Sequence, residues 1–244
     1  MSRNQELDGL SAVVTGATSG IGRAAAEELG RQGANVIVHG RDATRGSAVV
    51  DAITAEGGKA RFVAADLSIP SELDEFVEEV GTVDVLVNNA GVSWFGPTAD
   101  LDVETYDRLF DANVRSAYFV VAALAPKMVA QGKGSIINVG SMAGQIGMPG
   151  GAAYSATKAA LAAFTRSWAA EFSPAGVRVN TIAPGPVYTA VQPPEQTEAI
   201  GKTTIMARAA QPEEIAGAIA FLASPRASYV TGALFAADGG RTAI

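Results

Sequence analysis

The sequence predicts one α/β domain spanning residues 1–244, a doubly wound parallel sheet of about seven strands with helices on both faces. Three observations carry this. Short β-branched runs alternate with longer alanine-rich stretches along the whole chain. All but one of the main short runs are largely apolar, as strands covered on both faces must be. Gly33, Gly57 and Gly81 close the first three helical stretches, where a helix end favours glycine.

Taken in order, residues 10–15, 35–39, 60–65, 83–88, 135–140 and 177–182 read as strands, and 233–236 as a last short one. Residues 21–32, 44–56, 71–80, 103–130 and 152–171 carry apolar positions at the 3.6-residue helical spacing between them. Strand, helix, strand repeated this way implies right-handed crossovers. After Ile182 the pattern changes to a stretch containing Pro, Gln and Glu, and 190–211 is expected to be a mobile lid over the site. A helix over 212–223 follows it. No linker-like stretch, repeat or low-complexity segment divides the chain.

Composition narrows the chemistry. Acidic residues exceed basic ones, 25 to 18, for a net charge of −7, and no Lys/Arg cluster offers the footprint of a nucleic-acid surface. With no cysteine and one histidine, His39, there is no disulfide frame, thiolate nucleophile or serine–histidine triad, and no metal site is expected. The polar start and the lack of any apolar run of about 18 residues predict a cytoplasmic protein with no membrane partner. Charged residues are only 18% of the chain, which points to an oligomer that covers part of its surface.

Thr15-Gly16-Ala17-Thr18-Ser19-Gly20-Ile21-Gly22 joins the first strand to the first helix. Gly16 permits the tight turn, and Gly20 and Gly22 let backbone approach a pyrophosphate and the sheet. The helix start, with Ser19 and Ile21, aims free N–H groups at the anion. The turn therefore predicts a dinucleotide site. At the end of the second strand, where an acidic residue would bind a ribose 2′-hydroxyl, stands Gly40 followed by Arg41. An acid there would repel a 2′-phosphate, whereas Arg41 offers it a bidentate donor, so the cofactor expected is NADP(H) in preference to NAD(H). His39 reads as a strand-end residue. Asp66-Leu67 is either a helix-capping region or an acceptor for the adenine amine, and Asn88-Asn89-Ala90-Gly91 is a small-residue turn that lets the chain pass close to a flat ring.

Tyr154 and Lys158 stand four apart in a helical stretch and so share one face. A carbonyl that accepts hydride develops alkoxide charge and needs a proton donor matched to working pH. Free tyrosine, near 10, is too weak an acid, but a nearby ammonium such as Lys158, together with the positive charge of an oxidised nicotinamide, would favour tyrosinate. Ser141 at the end of the fifth strand can polarise the same oxygen, or merely cap a loop.

These residues resemble the classical short-chain dehydrogenase/reductase family over essentially the full chain, and within it the 3-oxoacyl-ACP reductase-like branch. Thr15–Gly22 matches TGxxxGIG, Asn88–Gly91 matches NNAG, and Ser141 precedes Tyr154-x-x-x-Lys158 by 13 residues. Pro184-Gly185-Pro186-Val187-Tyr188-Thr189 matches PGxVxT. The resemblance implies a Rossmann fold with Tyr154 as acid/base, Ser141 orienting substrate, and Lys158 binding the nicotinamide ribose while lowering the tyrosine's pKa. It further implies that Asn113 holds a proton-relay water and that Asn89, Ala90 and Gly91 pack near the adenosine half. Pro184, Gly185, Val187 and Thr189 would hold the nicotinamide amide. The chain departs from the pattern at Ser19, where many NADP-dependent members carry a basic residue, and at Ala170, where true acyl-carrier-protein reductases carry a docking arginine.

Candidate substrate contacts are Ser93, Trp94 and Phe95, then Gln145, Met148 and Pro149, then Tyr188 and Met206 around the lid. Their mostly bulky, apolar character fits a hydrophobic ketone or secondary alcohol, and Trp94 and Phe95 equally fit packing of the lid. The expected function is NADP(H)-dependent hydride transfer to or from such a substrate, with 3-oxoacyl-ACP reduction as the alternative enzyme and a non-catalytic dinucleotide-binding regulator as the alternative class. Small residues on the long helices, Ala159, Ala163 and Ala170, and the family's assembly strand at 229–240 predict a homotetramer.

Overall fold

A computed structural model describes residues 5–244; Met1 to Asn4, part of the polar opening stretch, lie outside the described residues. Seven strands form one sheet: β1 (Ser11–Val14), β2 (Asn35–Gly40), β3 (Lys59–Ala64), β4 (Val85–Asn88), β5 (Gly134–Val139), β6 (Val177–Pro184) and β7 (Leu234–Ala237). They lie in the order β3-β2-β1-β4-β5-β6-β7, and every neighbouring pair is parallel. The order reverses between β1 and β4, so a crevice opens at the carboxyl ends of those two strands.

Side chains alternate across the sheet, which is why both faces are apolar. Val14, Val36, Val38 and Val87 meet α1 (Gly20–Arg31), α2 (Ala43–Ala55) and α8 (Pro212–Ala223) through Leu29, Val49, Ile53, Ile215 and Ile219. Val13, Ile37, Leu86, Ile136 and Val179 meet α3 (Pro70–Val80), α5 (Ser116–Gln131) and α6 (Ala152–Phe172) through Phe76, Leu124, Met128 and Trp168. A buried polar ladder crosses this second layer. Asn88 Nδ2 donates to Asn138 Oδ1 at 3.0 Å, Asn138 Nδ2 to Thr165 Oγ1 at 2.7 Å, and the Thr165 and Thr181 hydroxyls share a bond of 2.7 Å. An apolar contact tolerates sliding, whereas these directional bonds set where α6 stands over β4, β5 and β6.

Two elements differ from the sequence expectation. The single helix expected over 103–130 is divided into α4 (Val103–Phe110) and α5 by a π-helical turn, Asp111–Arg115. Such a turn is invisible to a 3.6-residue periodicity because it adds one residue without breaking the helix direction. The stretch 190–211 contains a helix, α7 (Pro194–Gly201), and its two ends are pinned together. Tyr188 N donates to Ala210 O at 3.0 Å, and Ala210 N to Pro186 O at 2.9 Å. Among the described residues no helix is long and apolar enough to cross a membrane, and no cluster of His, Asp and Glu could hold a metal ion.

Candidate active site

At the reversal point the β1 and β4 ends are tied together. Thr15 Oγ1 accepts from Asn89 N and from Ala90 N, each at 3.0 Å, and Asn89 Nδ2 donates to Thr15 O and Gly16 O, each at 3.0 Å. The two backbones then pass so closely that a Cβ on Gly16 would lie 2.8 Å from Ala90 Cα, and Gly16 itself has φ +63°. Beyond the turn, α1 begins at Gly20 with φ +53°, and the side chain of its N-cap residue Ser19 makes no capping bond. The first-turn amides of α1 therefore have no intrahelical partner and face the crevice.

From this turn a cleft of about 600 Å³ runs to Tyr154. It is lined by Gly16, Ser19, Gly20, Ile21, Gly22, Arg41, Asp66, Leu67, Asn89, Ala90 and Gly91 at one end, and by Ser93, Ser141, Met148, Tyr154, Lys158, Pro184, Gly185, Val187 and Thr189 at the other. The glycine cradle, the free helix amides and a cationic rim together suit a dinucleotide.

The rim is built from arginines. Arg41 Nη1 pairs with Asp66 Oδ2 at 3.3 Å, with the arginine side chain 71% exposed, so the pair is weak and the guanidinium is free to serve an anion. Asp66 is not the N-cap of α3; its Oδ1 accepts from the Ser68 amide at 3.0 Å and the Ser68 hydroxyl at 2.7 Å. Burial pushes its carboxyl up, but those bonds and Arg41 outweigh burial and hold it below the usual range. Arg45, in the first turn of α2 and four residues after Arg41, lines the same end of the cleft and pairs with Asp42 at 2.8 Å. Sequence reasoning passed it over, although its spacing from Arg41 puts both guanidinium groups at one helix start. Thr18 was missed too; it packs on Gly40, where a Cβ would lie 2.5 Å from Thr18 Cγ2.

At the far end Ser141 leaves β5 and caps a short 3₁₀ turn, its Oγ accepting from Ala143 N at 3.1 Å. That turn rests on α6, where a Cβ on Gly144 would lie 3.0 Å from the Ala159 amide nitrogen, which brings Ser141 to Tyr154. Lys158 is buried and donates to Val139 O at 2.9 Å, with Nζ 5.8 Å from the Tyr154 ring centre. Burial brings the lysine down to about 8. Burial likewise pushes the Tyr154 phenol above its ordinary value, opposed by a hydrogen bond with Ser141. In the protein without cofactor burial outweighs the Ser141 bond; the lowering expected from sequence also rests on the charge of a bound nicotinamide.

Asn113 sits in the π turn behind the cleft wall, 1% exposed. Its Oδ1 accepts from Val92 N at 2.7 Å, and its Nδ2 donates to Val92 O at 2.8 Å and to Thr157 Oγ1 at 3.0 Å. It clamps the segment after NNAG to α6. The substrate expectations divide. Ser93, Phe95 and Met148 line the cleft, and the Phe95 ring lies 5.3 Å from the Tyr154 ring. Trp94, Gln145, Tyr188 and Met206 do not line it. Trp94 turns into a separate hollow of about 470 Å³ beside Val103 and Tyr106, Tyr188 faces another beside Arg23, and Met206 is largely exposed. Side chains alternate along an extended segment, so neighbours such as Ser93 and Trp94 point opposite ways. Ala190, Val191, Gln192 and Ile200 of the 190–211 stretch complete the cleft wall instead.

Fold and site together define a Rossmann-type protein with a dinucleotide-sized cleft ending in a tyrosine–lysine–serine cluster. A family model described as short chain dehydrogenase matches residues 11–199, and the chain belongs to that family and is an oxidoreductase. It is similar to the cyclopentanol dehydrogenase of a Comamonas species, 37% identical over 240 residues that cover 95% of this chain and 96% of that protein. It is also similar to the 3-oxoacyl-[acyl-carrier-protein] reductase of a Synechocystis species, 39% identical over 235 residues, 94% of this chain and 95% of that protein. Among solved structures, a short chain dehydrogenase/reductase family protein is 48% identical with a TM-score of 0.91, covering 98% of this chain and all of that one, 100%. A blue fluorescent protein from a metagenomic library, in complex with NADPH, is 35% identical with a TM-score of 0.91, covering 97% of this chain and 99% of its own.

The burial of Tyr154 sets an expectation for the protein without ligand. In an ultraviolet difference titration, the Tyr154→Phe variant should lose a phenol that ionises above the ordinary tyrosine value near 10. A phenol missing from below that value would show that charge, not burial, governs the tyrosine.

Proposed function

We propose that the protein is an NADP(H)-dependent oxidoreductase that exchanges hydride with a carbonyl or secondary alcohol, with a hydrophobic ketone as the best-fitting substrate. The observation that carries this reading is the convergence of Ser141, Tyr154 and Lys158 at one end of a cleft whose other end holds the glycine turn and two arginines. The amides of Gly20, Ile21 and Gly22 receive the pyrophosphate, and Arg41 with Arg45 receives the 2′-phosphate. Asp66, Leu67 and Asn89 to Gly91 flank the adenosine half, and Pro184, Gly185, Val187 and Thr189 the nicotinamide half. Bound nicotinamide supplies or takes the hydride.

In reduction, Tyr154 Oη gives its proton to the carbonyl oxygen, to which Ser141 Oγ also donates; in oxidation the tyrosinate takes the alcohol proton back. Lys158 holds the ribose and, while charged, offsets part of the burial penalty on tyrosinate. The family resemblance gives Asn113 a proton-relay water, while its side chain is bonded to Val92 and Thr157 behind the cleft wall. Phe95 and Met148 form an apolar wall beside the reacting carbon, and 190–211 acts as the lid. The similarity to an acyl-carrier-protein reductase raises a second reading, but exposed Ala170 stands where the resemblance expects the docking arginine.

Exposed apolar side chains support a homotetramer. Val103 and Tyr106 on α4, Tyr118 and Phe119 on α5, and Tyr229 and Phe235 near β7 are left facing solvent in one chain.

Four outcomes test this reading. Light scattering at micromolar concentration should report four chains; a monomer would end the assembly proposal. NADPH should bind about one to two decades more tightly than NADH, a difference that Arg41→Ala should largely abolish. Gly40→Asp is unsuited to that comparison because Thr18 occupies the space its side chain needs. In a screen of ketones, diketones, quinones, sugars and acyl thioesters, apolar ketones should consume NADPH fastest. Tyr154→Phe should then cut kcat/KM by roughly 10²–10⁴-fold while NADPH binding is kept, and a loss smaller than tenfold would reduce Tyr154 to a positioning role.

A further inference from the structure

His39, the chain's one histidine, is buried at the end of β2 against the glycine turn, at the wall of the cleft. It grips two successive amides of that turn. Its ring Nδ1 accepts from Gly16 N at 3.2 Å, and its main-chain oxygen accepts from Ala17 N at 2.8 Å. The other ring nitrogen, Nε2, lies 3.1 Å from Ala65 O, a carbonyl that only accepts, so Nε2 carries the proton and Nδ1 presents its lone pair. The Phe76 ring from α3 stands edge-on at 4.8 Å and fixes the plane of the imidazole. The neutral ring therefore ties β1, β2 and the end of β3 together at the place where the turn departs.

We infer that His39 is a positioning residue for the dinucleotide: its Nδ1 lone pair sets the start of the glycine turn, and through it the aim of the α1 amides. This rests on the dinucleotide reading above. A protonated ring would set an Nδ1–H against the Gly16 N–H, two donors facing each other. The charged groups facing the ring are Asp66 from the β3 end and Arg41 from the β2 end, and α3 contributes only Phe76 in direct contact. Burial is the main influence and brings the imidazole down to about 4, so the working form persists through the neutral range.

Two variants separate the two ring bonds. In His39→Asn, the side-chain Oδ1 lies where Nδ1 was and still accepts from Gly16 N–H, while the bond to Ala65 is lost. In His39→Gln, the amide reaches Ala65 O but leaves Gly16 N–H without its acceptor. Calorimetric titration with NADP⁺ at pH 7.5 should give a dissociation constant about three- to tenfold higher for His39→Gln and within about twofold of wild type for His39→Asn. Ring ¹⁵N signals, which need no assignment in a chain with one histidine, should show Nδ1 unprotonated and Nε2 protonated from pH 8 to 5.5.

Unfolding adds a readout that needs no cofactor. The histidine's folded value is about 4 against 6.5 for the free side chain, so it costs nothing above pH 6.5 and stability is lost as pH falls toward 4. The urea midpoint should fall further between pH 7 and 4.5 in wild type than in His39→Asn. Equal NADP⁺ affinity in wild type and His39→Gln, or an Nδ1-protonated ring at pH 7.5, overturns the inference while leaving the dinucleotide reading intact. Wild type that binds neither NADP⁺ nor NAD⁺ overturns both.

Discussion

The structure depends on how closely two chain segments approach at the reversal of strand order. Gly16 and Ala90 pass within a distance that a single methyl group would close, and Thr15 with Asn89 supplies the bonds that hold them there. The approach does two things at once. It opens a crevice at the strand ends, and it sets the direction in which α1 leaves the sheet. In a parallel sheet covered on both faces, the carboxyl ends of the strands at the reversal point are where such a crevice opens.

Around that point the site has two ends with opposite electrostatics. The glycine end is open, rimmed by arginines and built from backbone amides, and it suits an anion. The tyrosine end is more enclosed: Lys158 is buried and Tyr154 partly so, and burial weakens the charged form of each. A phenol that holds its proton this firmly is not matched to neutral pH by the protein alone, and in the proposed reaction the positive charge of a bound oxidised nicotinamide would have to favour tyrosinate. The lysine is kept in line by Val139 O, so its position is set by the sheet edge and not by the tyrosine it accompanies.

The polar ladder from Asn88 to Thr181 and the clamp made by Asn113 serve the same end of the cleft from behind. Both lie among apolar neighbours, where an unmade hydrogen bond is costly, and each therefore admits few arrangements. The ladder places α6 on the sheet; Asn113, lifted out of helical register by the π turn, places the Val92 segment against α6. Tyr154 and Lys158 are in this sense held by residues that never enter the cleft.

The strand and helix alternation, the glycine turn, Arg41, and the Ser141, Tyr154 and Lys158 set were legible in the sequence, because each depends on local spacing: period two or 3.6 for the elements, an unbroken turn for the glycines, four residues for the pair. The π turn, the helix in the 190–211 stretch, the place of Arg45 at the same end of the cleft as Arg41 and the packing of Thr18 on Gly40 were not, since each is decided by what the surrounding layers press against it. The same holds for direction. Sequence nominated Trp94, Gln145, Tyr188 and Met206 for their bulk and their nearness to motifs, but which way a side chain points is settled by the pleat and by the space left over once the core has packed. His39 shows the division most plainly: sequence placed it at the end of a strand, and only the tertiary structure, by burying the ring between Gly16 and Ala65, decided that it is neutral and which nitrogen keeps its lone pair.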